Sequence, residues 1–152
     1  MRLIRTNKDD PRFLSLVSLL DADLASRYAD GNVQYSTFNA LNKITAVVLA
    51  LHEDEPFACG AFKPFGEGGV EIKRVFVKPA FRGRGAAKRI MAELEAWAAA
   101  EGFSRAVLET GLHQPEAIAL YEHIGYRRIA NFAPYVGMAE SVCYEKPCRR
   151  EP

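Results

Sequence analysis

Seven basic side chains and no acidic one fall between Ile72 and Ala92. The core of this basic segment joins a predicted strand to the start of a predicted helix; its sequence is Arg82-Gly83-Arg84-Gly85-Ala86-Ala87. The first N–H groups of a helix lack intrahelical partners and carry the positive end of its dipole, so they attract anions. Small residues at such a start let a phosphate approach the backbone. The segment therefore predicts a local phosphate-binding turn.

Two familiar phosphate motifs do not fit this turn. There is no G-x-x-x-x-G-K-[ST] sequence, and Lys88 stands where a dinucleotide fingerprint needs its third glycine. An RNA-binding RG tract is an alternative, but such tracts are repetitive and disordered, whereas this one joins ordered elements. Acidic residues at 93, 95 and 101 also interrupt the basic surface that nucleic acid would require. We therefore expect no nucleic-acid partner.

The elements that must position the turn are indicated by hydrophobic spacing and by proline and glycine. Helices are predicted from Pro11 to about Ala25, from Gly85 to Gly102 and from Pro115 to Gly125. Strands are predicted over Ile44–His52, Pro56–Phe62, Val70–Val77 and Ala106–Leu108, and the tail from Tyr126 to Lys146 indicates a last hairpin. The third strand leads into the phosphate turn.

Composition bounds the remaining possibilities. The chain has 152 residues, 49% of them hydrophobic, and a net charge of +1, which predicts one domain over residues 1–152 without general affinity for nucleic acid or an anionic membrane. Three cysteines without CxxC spacing predict no metal site and a reducing compartment. No segment approaches the roughly 20 apolar residues of a membrane span. A cytoplasmic location is the expectation.

Two stretches resemble the GNAT acetyltransferase superfamily. The segment from Val77 to Ala87 is similar to its coenzyme A signature, a strand followed by R-x-x-G-x-A and a helix. The segment from Gln114 to Tyr126 is similar to its N-x-x-A-x-x-L-Y-x-x-x-G-F stretch, with glutamine in place of asparagine and tyrosine in place of phenylalanine. The resemblance covers Glu71 to Tyr126 well and the ends of the chain only by the order of their elements.

This resemblance implies a mixed α/β fold, with a mostly antiparallel, twisted sheet of six to seven strands, splayed between strands 4 and 5 and flanked by about four helices. It implies an N-acetyltransferase that uses acetyl-CoA and no metal on a primary amine of a small molecule, amino acid derivative or peptide. A non-catalytic acyl-CoA sensor is the alternative. The implied cofactor-binding residues are Phe76, Val77, Arg82, Gly83, Arg84, Gly85, Ala86, Ala87 and Gln114.

Acylation needs a neutral amine, although an alkylamine has a pKa of about 10.4, so a base is expected. Glu71 lies on the strand that enters the turn, where some GNAT enzymes carry a glutamate base; its alternative role is a solvated carboxylate paired with Lys73 or Arg74. Tyr121 is by resemblance the acid that protonates the departing thiolate, and its alternative role is core packing. By the same resemblance, main-chain groups around Phe76 and Val77 stabilise the oxyanion.

The acceptor pocket is expected to draw on the first helices and the tail. Its candidate wall residues are Tyr35, Phe38, Asn39, Asn131 and Tyr135. The scattered histidines at 52, 113 and 123 are expected to be structural or solvated. The strand residue Cys59 is expected to be a small buried residue rather than the site of an acyl-cysteine intermediate, so the amine is expected to attack the thioester directly. An exposed strand edge in the tail would permit a homodimer.

Overall fold

The computed structural model describes residues 1–28 and 40–149. Within these ranges seven strands form one sheet in the order β1-β2-β3-β4-β5-β7-β6. The strands are β1 Arg2–Thr6, β2 Ala46–His52, β3 Glu55–Phe65, β4 Gly69–Val77, β5 Arg105–Gly111, β6 Arg127–Ile129 and β7 Ser141–Pro147. The helices are α1 Pro11–Arg27, α2 Ala86–Ala100 and α3 Pro115–His123, with a 3-10 turn at Pro79–Phe81.

Helix α1 covers one face of the sheet. It begins where the sequence predicts, because Pro11 needs no hydrogen-bond partner for its nitrogen and the Asp10 carboxylate accepts from the backbone N–H of Arg12. Its buried stripe packs against alternate residues of β2 and β3 and the end of β4; the stripe consists of Phe13, Leu16, Val17 and Leu20. This packing sets one wall of the site described below.

Helix α2 packs against the opposite face of the sheet, and α3 flanks the same cluster. Ile90, Met91, Leu94 and Ala98 of α2 are fully buried in the larger core cluster. The helix lies so close to β3 that a Cβ added at Gly60 would come within 2.7 Å of an Ile90 methyl group. Glycine at this position therefore permits the close approach of α2.

Strands β4 and β5 separate partway along their length. Their parallel pairing covers only Gly69–Ile72 and Arg105–Leu108. Beyond that point β4 follows β3 to Val77, while β5 follows β7 to Gly111. A bulge in the β3–β4 pairing, where Arg74 has a φ of 59°, bends the departing part of β4. The predicted splay between strands 4 and 5 is thus confirmed, and it opens a gap through the sheet.

Strand β1 was missed by the sequence analysis. Only two of the five residues 2–6 are apolar, and their place in the sheet comes from antiparallel pairing with β2 rather than from a local pattern. The predicted final hairpin is present as β6 paired with β7. No helix in ranges 1–28 and 40–149 has both the length and the apolar composition needed to cross a membrane.

Candidate active site

Two cavities meet at the gap between β4 and β5. The larger, the α2 groove, has a volume of about 310 Å³ and runs from the splayed end of β4 past the turn at 79–85 to the starts of α2 and α3. The smaller, the inner cavity, has a volume of about 80 Å³ and lies beside α1. Both are lined by Leu20, Val75, Gln114 and Tyr121. A molecule in the groove and a molecule in the inner cavity would therefore meet at these side chains.

The floor of the α2 groove is formed by backbone atoms, and two glycines there leave the space above the backbone empty. Gly83 and Gly85 each have a φ of 80°, and a Cβ added to either would meet no atom within 4 Å. Gly85 is the N-cap of α2, and no side chain caps this helix start. The first turn of α2 also carries no acidic residue. The N–H groups of this first turn thus have no capping side chain among the described residues, which is the arrangement that accepts a phosphate.

The basic segment divides into two groups, so its seven cations do not form one site. Arg82 and Arg84 are exposed at the turn, where the Arg82 Nε donates to the Val77 carbonyl at 2.9 Å and the Arg84 guanidinium lies over the Phe81 ring. Lys73 and Arg74 are only 6% exposed and line the inner cavity instead. Burial of the bulged part of β4 produces this division, which the charge count could not predict.

The remaining predicted cofactor residues also line the α2 groove. Phe76 and Val77 form its β4 side, and Ala86 and Ala87 belong to the start of α2. Gln114 is the N-cap of α3, and its side-chain oxygen accepts a hydrogen bond from the Gly111 N–H at 3.3 Å. This contact holds Gln114 where the two cavities join. Arg84 is the one predicted cofactor residue that the described lining of the groove does not include.

Tyr121 lies at the junction of the two cavities. It is 7% exposed, packs edge-to-face on Tyr126, and projects from α3 toward the gap. Burial, with a smaller contribution from the negative charge of Glu109, raises the pKa of its hydroxyl above the ordinary value. The hydroxyl therefore carries its proton at neutral pH.

Glu71 is buried in the inner cavity rather than solvated. Its two carboxylate oxygens lie 3.5 Å from the Lys73 Nζ and 3.6 Å from the Lys63 Nζ. Lys73 also donates to the Tyr135 hydroxyl at 3.1 Å, and burial lowers the pKa of this lysine. The negative charge of Glu71 is thus offset on both sides by lysines.

Glu109 is a second carboxylate in this cavity, and the sequence analysis missed it. Its Oε2 accepts a hydrogen bond from the Ser141 Oγ at 2.7 Å. Burial raises the pKa of Glu109 to about 7, although the Ser141 hydrogen bond and the charge of Lys73 oppose the rise. The strand predicted from the sequence ends at Leu108, one residue before Glu109, whereas the strand of the structure continues to Gly111. The available signal was its place just after a buried strand that neighbours the strand of Glu71.

The predicted acceptor residues have different positions. Tyr135 lines the inner cavity, whereas Asn131 is not among the lining residues described and instead donates from its Nδ2 to the carbonyl groups of Tyr135, Met138 and Ser141, each at 3.2 Å. Asn131 therefore shapes the connection between β6 and β7. The other three candidates, Tyr35, Phe38 and Asn39, lie outside the described residues.

The remaining side chains considered as chemical groups lie elsewhere. His52 packs near Phe81, His113 pairs with Glu140, and His123 is exposed. Burial raises the pKa of the Cys59 thiol to about 12, so this cysteine remains a protonated core residue. In the described part of the chain, no group of three or more His, Cys, Asp or Glu side chains could hold a metal ion.

A splayed mixed sheet with an anion-binding helix start beside the gap defines an acyl-CoA-dependent acetyltransferase fold. The model of the Acetyltransferase (GNAT) family matches residues 13–126, and the chain belongs to this family. It is 41% identical over 136 residues to the IAA acetyltransferase of Azospirillum brasilense, which covers 88% of this chain and 89% of the relative. The chain is thus an acetyltransferase of the GNAT family.

Solved structures have the same fold. A Klebsiella pneumoniae protein assigned as an acyl-CoA N-acyltransferase superposes with a TM-score of 0.80 at 32% identity, over 97% of each chain. The PaiA N-acetyltransferase of Thermoplasma acidophilum, solved in complex with coenzyme A, superposes with a TM-score of 0.73 over 97% of this chain and 99% of its own. Its 14% identity makes this second likeness one of fold alone.

Proposed function

We propose that this chain, as one domain, transfers the acetyl group of acetyl-CoA to a primary amine of a small molecule, amino acid derivative or peptide. The observation that carries the proposal is the meeting of the α2 groove and the inner cavity at Tyr121. A cofactor bound in one cavity and an amine in the other would both reach this side chain. Direct attack within a ternary complex follows from that arrangement.

The α2 groove suits the coenzyme from its phosphates to its thioester. The pyrophosphate would accept hydrogen bonds from the free N–H groups that follow Gly83 and Gly85, with the exposed guanidinium of Arg82 beside it. The pantetheine arm would lie along Phe76 and Val77 in the splay, where the inner edge of β4 has no strand beside it in the described residues. The thioester would then reach Tyr121.

Of the two carboxylates, Glu109 is the better candidate for the base that Glu71 was expected to be. A base works best when its pKa is near the working pH, and burial raises that of Glu109 to about 7. Both carboxylate oxygens of Glu71 already have a lysine partner, Lys63 at 3.6 Å and Lys73 at 3.5 Å, so neither is left to face the amine alone. We therefore propose that Glu109 accepts the amine proton and that Glu71 positions Lys73.

The reaction balances with three proton transfers: from the amine to Glu109, from Tyr121 to the thiolate, and then through solvent from Glu109 back to Tyr121. The amine nitrogen attacks the thioester carbonyl carbon while its proton passes to Glu109, directly or through water. Main-chain groups near Phe76 and Val77 stabilise the oxyanion, a contribution that side-chain mutation would hardly test. As the C–S bond breaks, the Tyr121 hydroxyl protonates the departing thiolate, which suits a tyrosine kept neutral by burial.

Calorimetric titration with acetyl-CoA tests the first half of this proposal. We expect saturable binding by the wild type, weakened by Arg82→Glu and unchanged by Arg127→Glu, which makes the same charge change at an exposed residue of β6. Absence of binding to the wild type would overturn the proposal.

Thiol release in the presence of an amine panel tests the second half. The panel should include IAA, because a relative is named for it. Acetyl-CoA binding without turnover of any acceptor would favour the alternative, a non-catalytic acyl-CoA sensor.

A further inference from the structure

The inner cavity carries charges of both signs. Residues Val70, Ile72, Ala106 and Leu108 face the α2 side of the sheet, so the alternate residues Glu71, Lys73 and Glu109 face the α1 side. Arg74 joins them there, because its Nη2 reaches the Val17 carbonyl and the Asp21 carboxylate of α1. All four charged residues line the cavity. A simple cationic amine would complement only half of this set.

The charge balance argues against a purely acidic pocket. Lys63 and Lys73 already offset the charge of Glu71, which leaves Glu109 as the carboxylate to receive an amine. Arg74 is compensated by Asp21, whose side chain is 56% exposed and lies at the surface of α1. That partner does not use the whole guanidinium group.

One N–H group of Arg74 has no partner among the residues that the structure describes. Its Nε is buried, and no hydrogen-bond acceptor lies within reach of it in the described ranges. Buried donors of a charged group are almost always paired, so an unpaired one needs an explanation, such as an absent ligand. Because Arg74 lines the inner cavity, the acceptor substrate is the ligand that could supply the missing oxygen.

The backbone of Arg74 is also strained. Its φ of 59° at the bulge is a conformation that glycine and asparagine adopt more easily than arginine. The bulge turns the side chain from the β3–β4 plane toward α1 and the cavity. Strain and an unpartnered donor thus coincide at one residue beside the acceptor site. Both features lower the stability of the folded protein, and a binding role for the guanidinium explains why they are present.

We propose that the acceptor is an amino acid or a similarly short aminocarboxylate, with its amine directed to Glu109 and its carboxylate bound by the Nε side of Arg74. The proposal rests on the acetyl transfer argued above and specifies its acceptor. Guanidinium binds carboxylate oxygens through paired N–H donors, which an ammonium group cannot reproduce. The cavity of about 80 Å³ limits the reacting end to a few atoms between the two charged groups.

The first test compares acceptors on the wild-type enzyme. Each of several L-amino acids is assayed beside its amide and its decarboxylated amine, for example leucine, leucinamide and 3-methylbutylamine. We expect kcat/KM to be at least about tenfold higher for the amino acid, the factor that about 1.4 kcal/mol of binding supplies. The amide removes the carboxylate while keeping an α-amino group of low pKa, so easier deprotonation cannot explain such a preference.

The second test changes the guanidinium. In Arg74→Lys the positive charge stays and Nε is lost, so KM for the amino acid should rise while kcat changes less, and the preference over the amide should shrink toward one. Asp21→Asn is the matched control, because it removes the charge that pairs with residue 74 and leaves the Arg74 guanidinium in place. It should retain the preference. Acetyl-CoA affinity and thermal unfolding are measured for both variants to verify that they fold.

The outcomes separate this inference from the function on which it rests. Equal turnover of amino acids, amides and amines would overturn the aminocarboxylate assignment and leave acetyl transfer standing. A preference that Arg74→Lys retains would overturn the role of Arg74. No turnover of any acceptor by an enzyme that binds acetyl-CoA would overturn both the assignment and the proposed catalysis.

Discussion

The α2 groove and the inner cavity are built in different ways. Most of the groove comes from one continuous stretch, residues 75–88, completed by α3 and two residues of α1, and its anion-binding part is backbone. The inner cavity combines side chains from α1, β4, β5, α3 and the connection before β7. A local stretch of chain can be recognised in a sequence, whereas side chains assembled from five places cannot. The groove was therefore predictable and most of the cavity was not.

The difference also separates two kinds of physical control. The groove offers fixed N–H groups and exposed cations, which solvent screens and which tolerate variation in individual side chains. The inner cavity holds buried charges whose pKa values depend on one another, so single substitutions there should have larger effects on turnover. This contrast orders the expected effects of mutation.

The largest effect is expected from Glu109→Gln. Loss of the base should lower kcat/KM by roughly 100-fold or more, in the range of general base catalysis, while acetyl-CoA affinity stays unchanged. For the wild type, activity should rise with pH through about 7, because Glu109 must lose its proton before it can accept one from the amine. This rise should be absent in the variant. Steady-state kinetics from pH 5.5 to about 9 measure both effects.

Glu71→Gln is the matched control for this substitution. It removes the other buried carboxylate of the cavity, the one that lies between two lysines. We expect a smaller loss of turnover and a retained rise near pH 7. If Glu71→Gln instead abolishes the rise and Glu109→Gln keeps it, the roles of the two carboxylates must be exchanged.

Tyr121→Phe should have the next largest effect. We expect kcat to fall by about 10- to 100-fold, near the lower end of general acid catalysis, because a thiolate leaves readily and needs less help than an alkoxide. The ring would still pack against Tyr126, so acetyl-CoA affinity should stay close to that of the wild type. Presteady-state thiol release measures the step directly. An unchanged rate would return Tyr121 to the alternative role of core packing.

The predicted helices and core strands were those with a strong local signal. Pro11 with Asp10, and Pro115 with Gly125, mark helix ends through backbone chemistry that acts within a few residues. Strand β1 lacked such a signal, because its place depends on pairing with β2, which lies more than 40 residues further along the chain. The splay was predicted from the family resemblance alone, because no spacing in the sequence marks where β4 and β5 separate.

The residues of the site were predictable only where local composition or the family resemblance pointed to them. The turn from Arg82 to Ala87 was identified from local composition, and Glu71 and Tyr121 came from the resemblance. Glu109, Ser141 and the bulge at Arg74 were missed, because their importance arises from burial and from contacts across 15 to 57 residues of sequence. Neither residue type nor spacing reports how much water a side chain loses on folding.

A substitution at the groove should affect binding rather than chemistry. Gly85→Ala places a Cβ on a backbone with a φ of 80° and into the space left open for the coenzyme. It should cost about 1 kcal/mol of folding stability and lower acetyl-CoA affinity about tenfold. Gly102→Ala is the control at the other end of α2, with a φ of 95° and equally open surroundings. It should lose similar stability and no affinity, as calorimetry and thermal unfolding would show.

Ser141→Ala should give the smallest effect and the most specific one. The Ser141 hydroxyl donates to Glu109 at 2.7 Å and so stabilises the ionised carboxylate. Without this bond the pKa of Glu109 should rise further above its ordinary value, and the increase of activity with pH should move to higher pH. Activity at pH 7 would fall a few-fold and recover in alkaline buffer, unlike that of Glu109→Gln, which no pH would restore. An unshifted profile would mean that Glu109 does not set the pH dependence. The inner cavity would then not supply the base of the reaction.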